Sequence, residues 1–170
     1  MPQMDFVSPV KTITKSLVYN QKDLYKFLMK WFAERHYAIV ELDYTEKDLG
    51  EGKKLYGFNW ANEKKIEEFT KLIIEVGFEA KAINTMVETE NGQRKAQKGE
   101  VKVDFKGFVL KDVEDDYTLS KEAPQRRLLK EIYAKFIGNK RMNRFEAQLG
   151  KDINAIITDL KTYLKAHRYD

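Results

Sequence analysis

Cysteine is absent from the 170-residue chain, which removes disulfides, thiolate metal sites and cysteine nucleophiles together. A reducing compartment suits such a chain, so a cytoplasmic location is expected. There are only two histidines, His36 and His167, too few for a histidine-rich metal centre. Long apolar runs are missing as well. The most apolar stretch, KLIIEVGF, falls far short of the ~20 residues a membrane-spanning helix needs. MPQMDFVSPV has no basic start leading into an apolar core, so neither a signal peptide nor a transmembrane segment is expected. No G-x-S-x-G elbow occurs. The GEG at 50–52 does not sit between a strand and a helix, as a phosphate cradle would. The acidic groups Glu46–Asp48 and Glu114–Asp116 lack the glycine and spacing of a calcium loop. These absences exclude the recognisable catalytic, cofactor and metal motifs, and a non-enzyme without cofactor is the expectation.

What is present is a folded, highly charged composition, 42% hydrophobic and 34% charged. Lys plus Arg number 31 against 27 for Asp plus Glu, a net +4. That mild excess permits a nucleic acid or another polyanion as partner without requiring one. The length suits one domain.

Along the chain, residues 1–10 read as a loose arm ending at Pro9. KTITKSLVY (Lys11–Tyr19) is rich in β-branched residues and reads as a strand. Leu24, Phe27, Leu28, Trp31 and Phe32 then recur at helical spacing behind a candidate N-cap, Asn20. Ala38, Val40, Leu42 and Tyr44 alternate on one face of a strand, and Tyr56, Phe58 and Trp60 on one face of the next, with a turn at LGEG between them. Ile66–Ile83 carries two periods at once. Ile66, Phe69, Ile73 and Val76 are spaced as on a helix, but Leu72, Ile74, Val76, Phe78, Ala80 and Ala82 alternate without a break, and a strand is expected. ENGQ at 90–93 signals a hairpin, read as a small projecting one over 84–98. Helices are expected over 120–167. One carries Leu128, Leu129, Ile132, Tyr133 and Phe136. After a break at Gly138, a longer one carries Met142, Phe145, Leu149, Ile153, Ile156, Leu160 and Tyr163. Strands followed by helices predict an α+β domain: an antiparallel sheet of about five strands, with an N-terminal helix and two C-terminal helices on one face.

The order of LYKFLMKWF, YGFNW, ENGQRKAQKGEVKVDFKG and the C-terminal NRFEAQLGKDI resembles uncharacterised small proteins of archaeal genomes, from about Lys11 onward. The resemblance implies an archaeal, cytosolic source and a strand over Ile66–Ile83. It brings no activity.

Three candidate surfaces follow. The first is basic: Arg94, Lys95 and Lys98 on the hairpin, with Lys140, Arg141 and Arg144 near the helix break, suited to gripping phosphates. The second rests on KGEVKVDFKGFVL, where alternation slips at Gly107. Either the sheet carries a second apolar face, or Gly107 is a bulge that returns Phe108 and Leu110 to the core. A second face made smaller by a bulge, with Ile39, Ile73 and Ile83 on it, is expected to meet a protein partner or a second copy. The third is a pocket for an apolar small molecule between sheet and C-terminal helix, lined by Tyr56, Phe58, Trp60 and Phe78. A non-catalytic binding or interaction module contacting an anionic macromolecule or protein is the leading expectation, with the apolar pocket as the alternative.

Overall fold

The computed structural model describes residues 3–111 and 138–170, with side chains described over 8–111 and 144–170. Its elements are β1 (Gln3–Val7), β2 (Lys11–Tyr19), α1 (Gln21–Glu34), β3 (Ala38–Gly50), β4 (Lys53–Glu67), β5 (Thr70–Thr89), β6 (Gly92–Lys111) and α2 (Gly138–Ala166). All strand pairs are antiparallel, in the order β1-β6-β5-β4-β3, with β2 also paired to β6. The class is α+β. Residues 121–137, where the first C-terminal helix was expected, lie outside the described residues, as does Glu114–Asp116. Among the described residues there are two helices, one before the β3–β6 strands and one at the C-terminal end.

The arm at 1–10 contains a strand rather than a loose lead-in. β1 pairs the Phe108–Lys111 end of β6 and β2 pairs the Gln97–Phe105 stretch, so the two are halves of one edge. The break falls at Ser8, Pro9 and Val10. Pro9 has no N–H to give a ladder, which confines it to such a place. Ser8 repairs the gap: its Oγ accepts from the Gly107 N–H (2.7 Å) and its N–H donates to the Gly107 carbonyl (2.7 Å).

α1 begins where Asn20 Oδ1 accepts from the Asp23 N–H (2.9 Å), as an N-cap should. It ends with the Tyr37 N–H on the Phe32 carbonyl and the His36 N–H on the Ala33 carbonyl. That closure puts His36 at φ 65°, a conformation usually left to glycine.

β5 runs as expected from Leu72 through Ile83, but Ile66 belongs to β4. A turn at Glu68 and Phe69 joins the two strands. The hairpin at 84–98 is no separate unit. β5 and β6 pair without interruption from Thr70↔Lys111 to Thr89↔Gly92. Only beyond Ile83 and Gln97, where β4 and β2 stop, do they continue as a two-stranded ribbon.

One face of the sheet is apolar and carries both helices. Trp60, Phe58, Phe105, Ile74, Leu72 and Val103 are fully buried there with Leu24, Leu28 and Phe32 of α1 and Leu149, Ile153, Ile156 and Leu160 of α2. Burial of this area is the main stabilising term. The outer face is a mosaic of opposite charges set across from one another, as at Glu75↔Lys106, Glu79↔Lys102 and Lys81↔Glu100, an arrangement that stabilises neighbouring strands.

Gly107 is not a bulge. Ile73↔Phe108 and Ile74↔Gly107 stay in register, and Gly107 lies on the apolar face with Val103, Phe105 and Val109. Its missing side chain is where α2 presses in. A Cβ there would lie 2.7 Å from Ile153 Cδ1 and 3.0 Å from both Leu149 δ carbons. A bulge does occur in β3, between Glu41 and Asp43. It puts Tyr44, opposite Phe58, on the helix side and Val40, opposite Ala61, on the outer side, so Ala38, Val40, Leu42 and Tyr44 do not share a face. Among the described residues no helix is long and apolar enough to cross a membrane.

Candidate functional site: a tyrosine-walled cleft

Where the first turn of α1 meets β3, β4 and β6, the surface opens into a cleft of about 570 Å³ lined by Gln21, Lys22, Tyr25, Glu41, Tyr44, Glu46, Tyr56 and Gln97. The fold assembles it from four elements. The Asn20 cap starts α1 beside β6, since Asn20 Nδ2 donates to the Lys95 carbonyl (2.9 Å) and Gln97 Oε1 accepts from the Gln21 N–H (2.7 Å). One turn on, Tyr25 packs edge-on against Phe58 (5.1 Å), Trp60 (5.2 Å) and Tyr44 (6.0 Å). Its hydroxyl donates to Glu41 Oε2 (3.1 Å). The bulge in β3 brings Glu41, Tyr44 and Glu46 to the same side.

Below the opening lies an amide network. Gln97 Nε2 donates to Asn84 Oδ1 (3.1 Å), which also accepts from the Tyr56 hydroxyl (3.3 Å). Tyr19 donates to Gln21 Oε1 (2.8 Å). These bonds hold the floor rigid.

The field in the cleft is negative. Burial, then the hydrogen bond and charge of Glu41, push the Tyr25 hydroxyl up to about 12. The Trp60 indole pulls it slightly back without reaching hydrogen-bonding geometry. Tyr44 is raised by burial and then by Glu46, Tyr56 and Glu41. Tyr56 is raised by burial and then Glu46, with Lys54 opposing. At neutral pH all three therefore remain hydrogen-bond donors. Deeper on the same face of β4, Trp60 Nε1 and both polar atoms of Asn62 are buried with no hydrogen-bond partner among the described residues.

The residues singled out from sequence fall in several places. Phe58, Trp60 and Phe78 are core, at 1%, 0% and 4% exposure, with Phe58 stacked on Phe78 (4.7 Å) and on Trp60 (4.6 Å). Of the four residues expected to line an apolar pocket, Tyr56 lines a cleft among the described residues. Ile73 is 6% exposed and pairs with Phe108 on the outer face. Ile39 packs against the core on the helix side, opposite Asn62. The two therefore form no common second face, and of that trio only Ile83 is exposed. Arg94 is bound to Asp23 (2.5 Å) and reaches the Tyr169 hydroxyl, while Lys95 and Lys98 are exposed. Arg144 is exposed on α2. Lys140 and Arg141 lie in its first turn, and their side chains are outside those described. Among the described residues no group of three or more His, Cys, Asp or Glu is placed to hold a metal ion.

Tyr25, Tyr44, Gln21 and Gln97 escaped the sequence reading, because only the docking of α1 and the β3 bulge bring them together. The one available signal was the Asn20 cap, which fixes the orientation of Tyr25.

No protein-family model matches the chain, and no curated protein matches it. A search of solved structures finds similarity to a di-domain ARO/CYC, BexL, from the BE-7585A biosynthetic pathway, at 13% identity over 86% of this chain and 48% of that one, with a TM-score of 0.18. The chain thus spans about half the length of that protein. A superposition that poor assigns neither fold nor activity.

Proposed function

We propose that this chain is a non-catalytic, cytoplasmic binding module, and that its small-molecule seat is the tyrosine cleft. The observation that carries this reading is the convergence of three tyrosines and two carboxylates, Glu41 and Glu46, over an ordered amide floor in a cleft of about 570 Å³. That size is usual for a ligand site. Aromatic faces beside carboxylates favour a cation through ring quadrupole and charge together. Lys22 is the one cation among the lining residues. The ligand class is accordingly a small organic amine with an apolar or aromatic body. The apolar-ligand alternative was drawn on Tyr56, Phe58, Trp60 and Phe78, and the last three are buried and stacked through Phe58, so the tyrosine cleft is the better-supported seat.

Amide-resonance titration tests this, using phenylethylamine against the phenylpropionate anion, which has a similar body and opposite charge. The amine is expected to move resonances of Tyr25, Tyr44 and Gln97 and to lose that effect in the Glu41→Gln/Glu46→Gln variant. The reading fails if neither compound moves them, or if both do so alike.

A further inference from the structure

The flank of α2 that faces β2 carries a different chemistry. Asn154, Thr158, Lys161, Lys165 and Arg168 recur at intervals of three and four and so share one side of the helix. Contacts fix that side against the edge strand. Lys11 Nζ donates to Asn154 Oδ1 (2.6 Å), and the Tyr169 N–H donates to the Val18 carbonyl (2.9 Å). Lys15, Ser16 and Leu17 of β2, with Lys161, Leu164, Lys165 and Arg168, line one hollow of about 70 Å³. Arg168 is paired with Asp170 (2.8 Å). Lys11, Lys15, Lys161 and Lys165 make no ion pair among the described residues. On the outer face of the sheet lysines stand opposite acids at Glu75↔Lys106, Glu79↔Lys102 and Lys81↔Glu100; the residues lining this hollow include no acid.

We propose that this seam binds the backbone of a single-stranded nucleic acid. The row is long: Lys161 and Lys165 are one turn apart, about 6 Å along the axis, and Lys11 and Lys15 about 13 Å apart along their strand. A free phosphate engages one end of such a row, whereas a phosphodiester chain engages all of it. The apolar floor, Leu17 and Leu164, is buried, so nothing apolar projects to enter a bilayer. The residues lining the hollow include no aromatic ring for a base to stack on. Binding is therefore to phosphates, indifferent to sequence and steeply salt-dependent.

The test is fluorescence anisotropy of a labelled oligothymidylate titrated with the full chain at increasing salt. Four phosphate contacts give a slope of log affinity on log salt of about −3. Lys161→Glu/Lys165→Glu is expected to weaken binding about tenfold or more at low salt and to halve that slope, as it removes two of the four contacts. Lys47→Glu/Lys53→Glu, an equal charge change on the opposite edge strand and its hairpin, is expected to change binding less than about threefold through net charge alone. Lys161→Gln/Lys165→Gln serves as a milder seam variant, and thermal melts confirm that each variant folds. The proposal is overturned if both reversals weaken binding equally. It is also overturned if the oligonucleotide does not bind at low salt, whether or not phosphatidylserine vesicles do.

Discussion

The two flanks of α2 differ in what their polar groups touch. Toward α1, every polar group named is engaged. Asp152 accepts from the Tyr37 hydroxyl (2.7 Å) and from Gln148 (2.9 Å). Asp159 accepts from Trp31 Nε1 (2.8 Å) and pairs with Arg35 (3.4 Å), whose guanidinium lies 3.9 Å over the Trp31 ring. Tyr163 stacks on Phe27 at 4.3 Å. Toward β2, Lys161 and Lys165 have no ion-pair partner among the described residues. The first flank is architecture: at its buried centre, removing either Tyr37 or Asp152 leaves the other buried and short of a partner. The second is available surface. The comparison teaches where to seek function in a chain a third of whose residues are charged: where the charges lack partners.

Between the flanks runs the apolar ridge, and it gives the largest expected effect. Ile153, 2% exposed, presses on Gly107. Ile153→Asp would bury an unpaired charge there and is expected to unfold the chain, a loss above about 4 kcal/mol. Lys151→Asp, exposed two residues away on another side of the helix, is expected to shift stability by less than about 0.5 kcal/mol. Urea melts check both. Equal effects would mean that the ridge does not separate two distinct flanks.

The engaged flank predicts a pH dependence. Burial first, then the Asp152 hydrogen bond, raises the Tyr37 hydroxyl well above its ordinary 10.0. The folded chain therefore keeps this proton at a pH where the unfolded chain has released it. The contribution is fully present below about pH 10 and is lost as pH rises toward the folded value. Between those values each such group lowers stability by about 1.4 kcal/mol per pH unit. Tyr37→Phe removes that slope, together with about 1–3 kcal/mol at neutral pH from Asp152 left short of a donor. Melts of parent and variant from neutral pH to about pH 11 measure both quantities. An unchanged alkaline slope would place Tyr37 outside the engaged set.

Much of this architecture was legible in local patterns. β2, α1 with its Asn20 cap, the buried stripe of α2 and the alternation of β5 from Leu72 onward all follow from periods of two or 3.6. The failures have physical causes. The Glu68–Phe69 turn contains no glycine, proline or asparagine, so the strand expected from Ile66 began before the turn that separates β4 from β5. Gly107 looked like a bulge because a glycine in a strand marks either irregularity or close approach, and only the position of α2 shows which. The actual bulge at Glu41–Asp43 has no glycine to announce it. The cleft was the least legible feature. Tyr56 was singled out, but Tyr25 and Tyr44 meet it through contacts between α1 and β3 that no local pattern encodes.

The smallest effect sharpens the comparison most. In the basic seam two forces oppose each other. Lys165 lies in the last turn of α2, where a cation interacts favourably with the helix dipole by about 0.3–1 kcal/mol. Against that, Lys15, Lys161 and Arg168 line the same hollow, and repulsion among exposed like charges is of similar size. Lys161→Gln/Lys165→Gln is therefore expected to change stability by less than about 0.5 kcal/mol at physiological salt. The sign should depend on ionic strength. At about 0.01 M the Debye length is near 30 Å, repulsion reaches across the seam, and the variant should be slightly the more stable. At about 1 M, with a Debye length near 3 Å, that gain should vanish. Urea melts at the two salt concentrations decide it. A loss above about 1 kcal/mol at either would show that these lysines carry structural load. The two flanks would then be alike, and the seam would no longer be free for a partner.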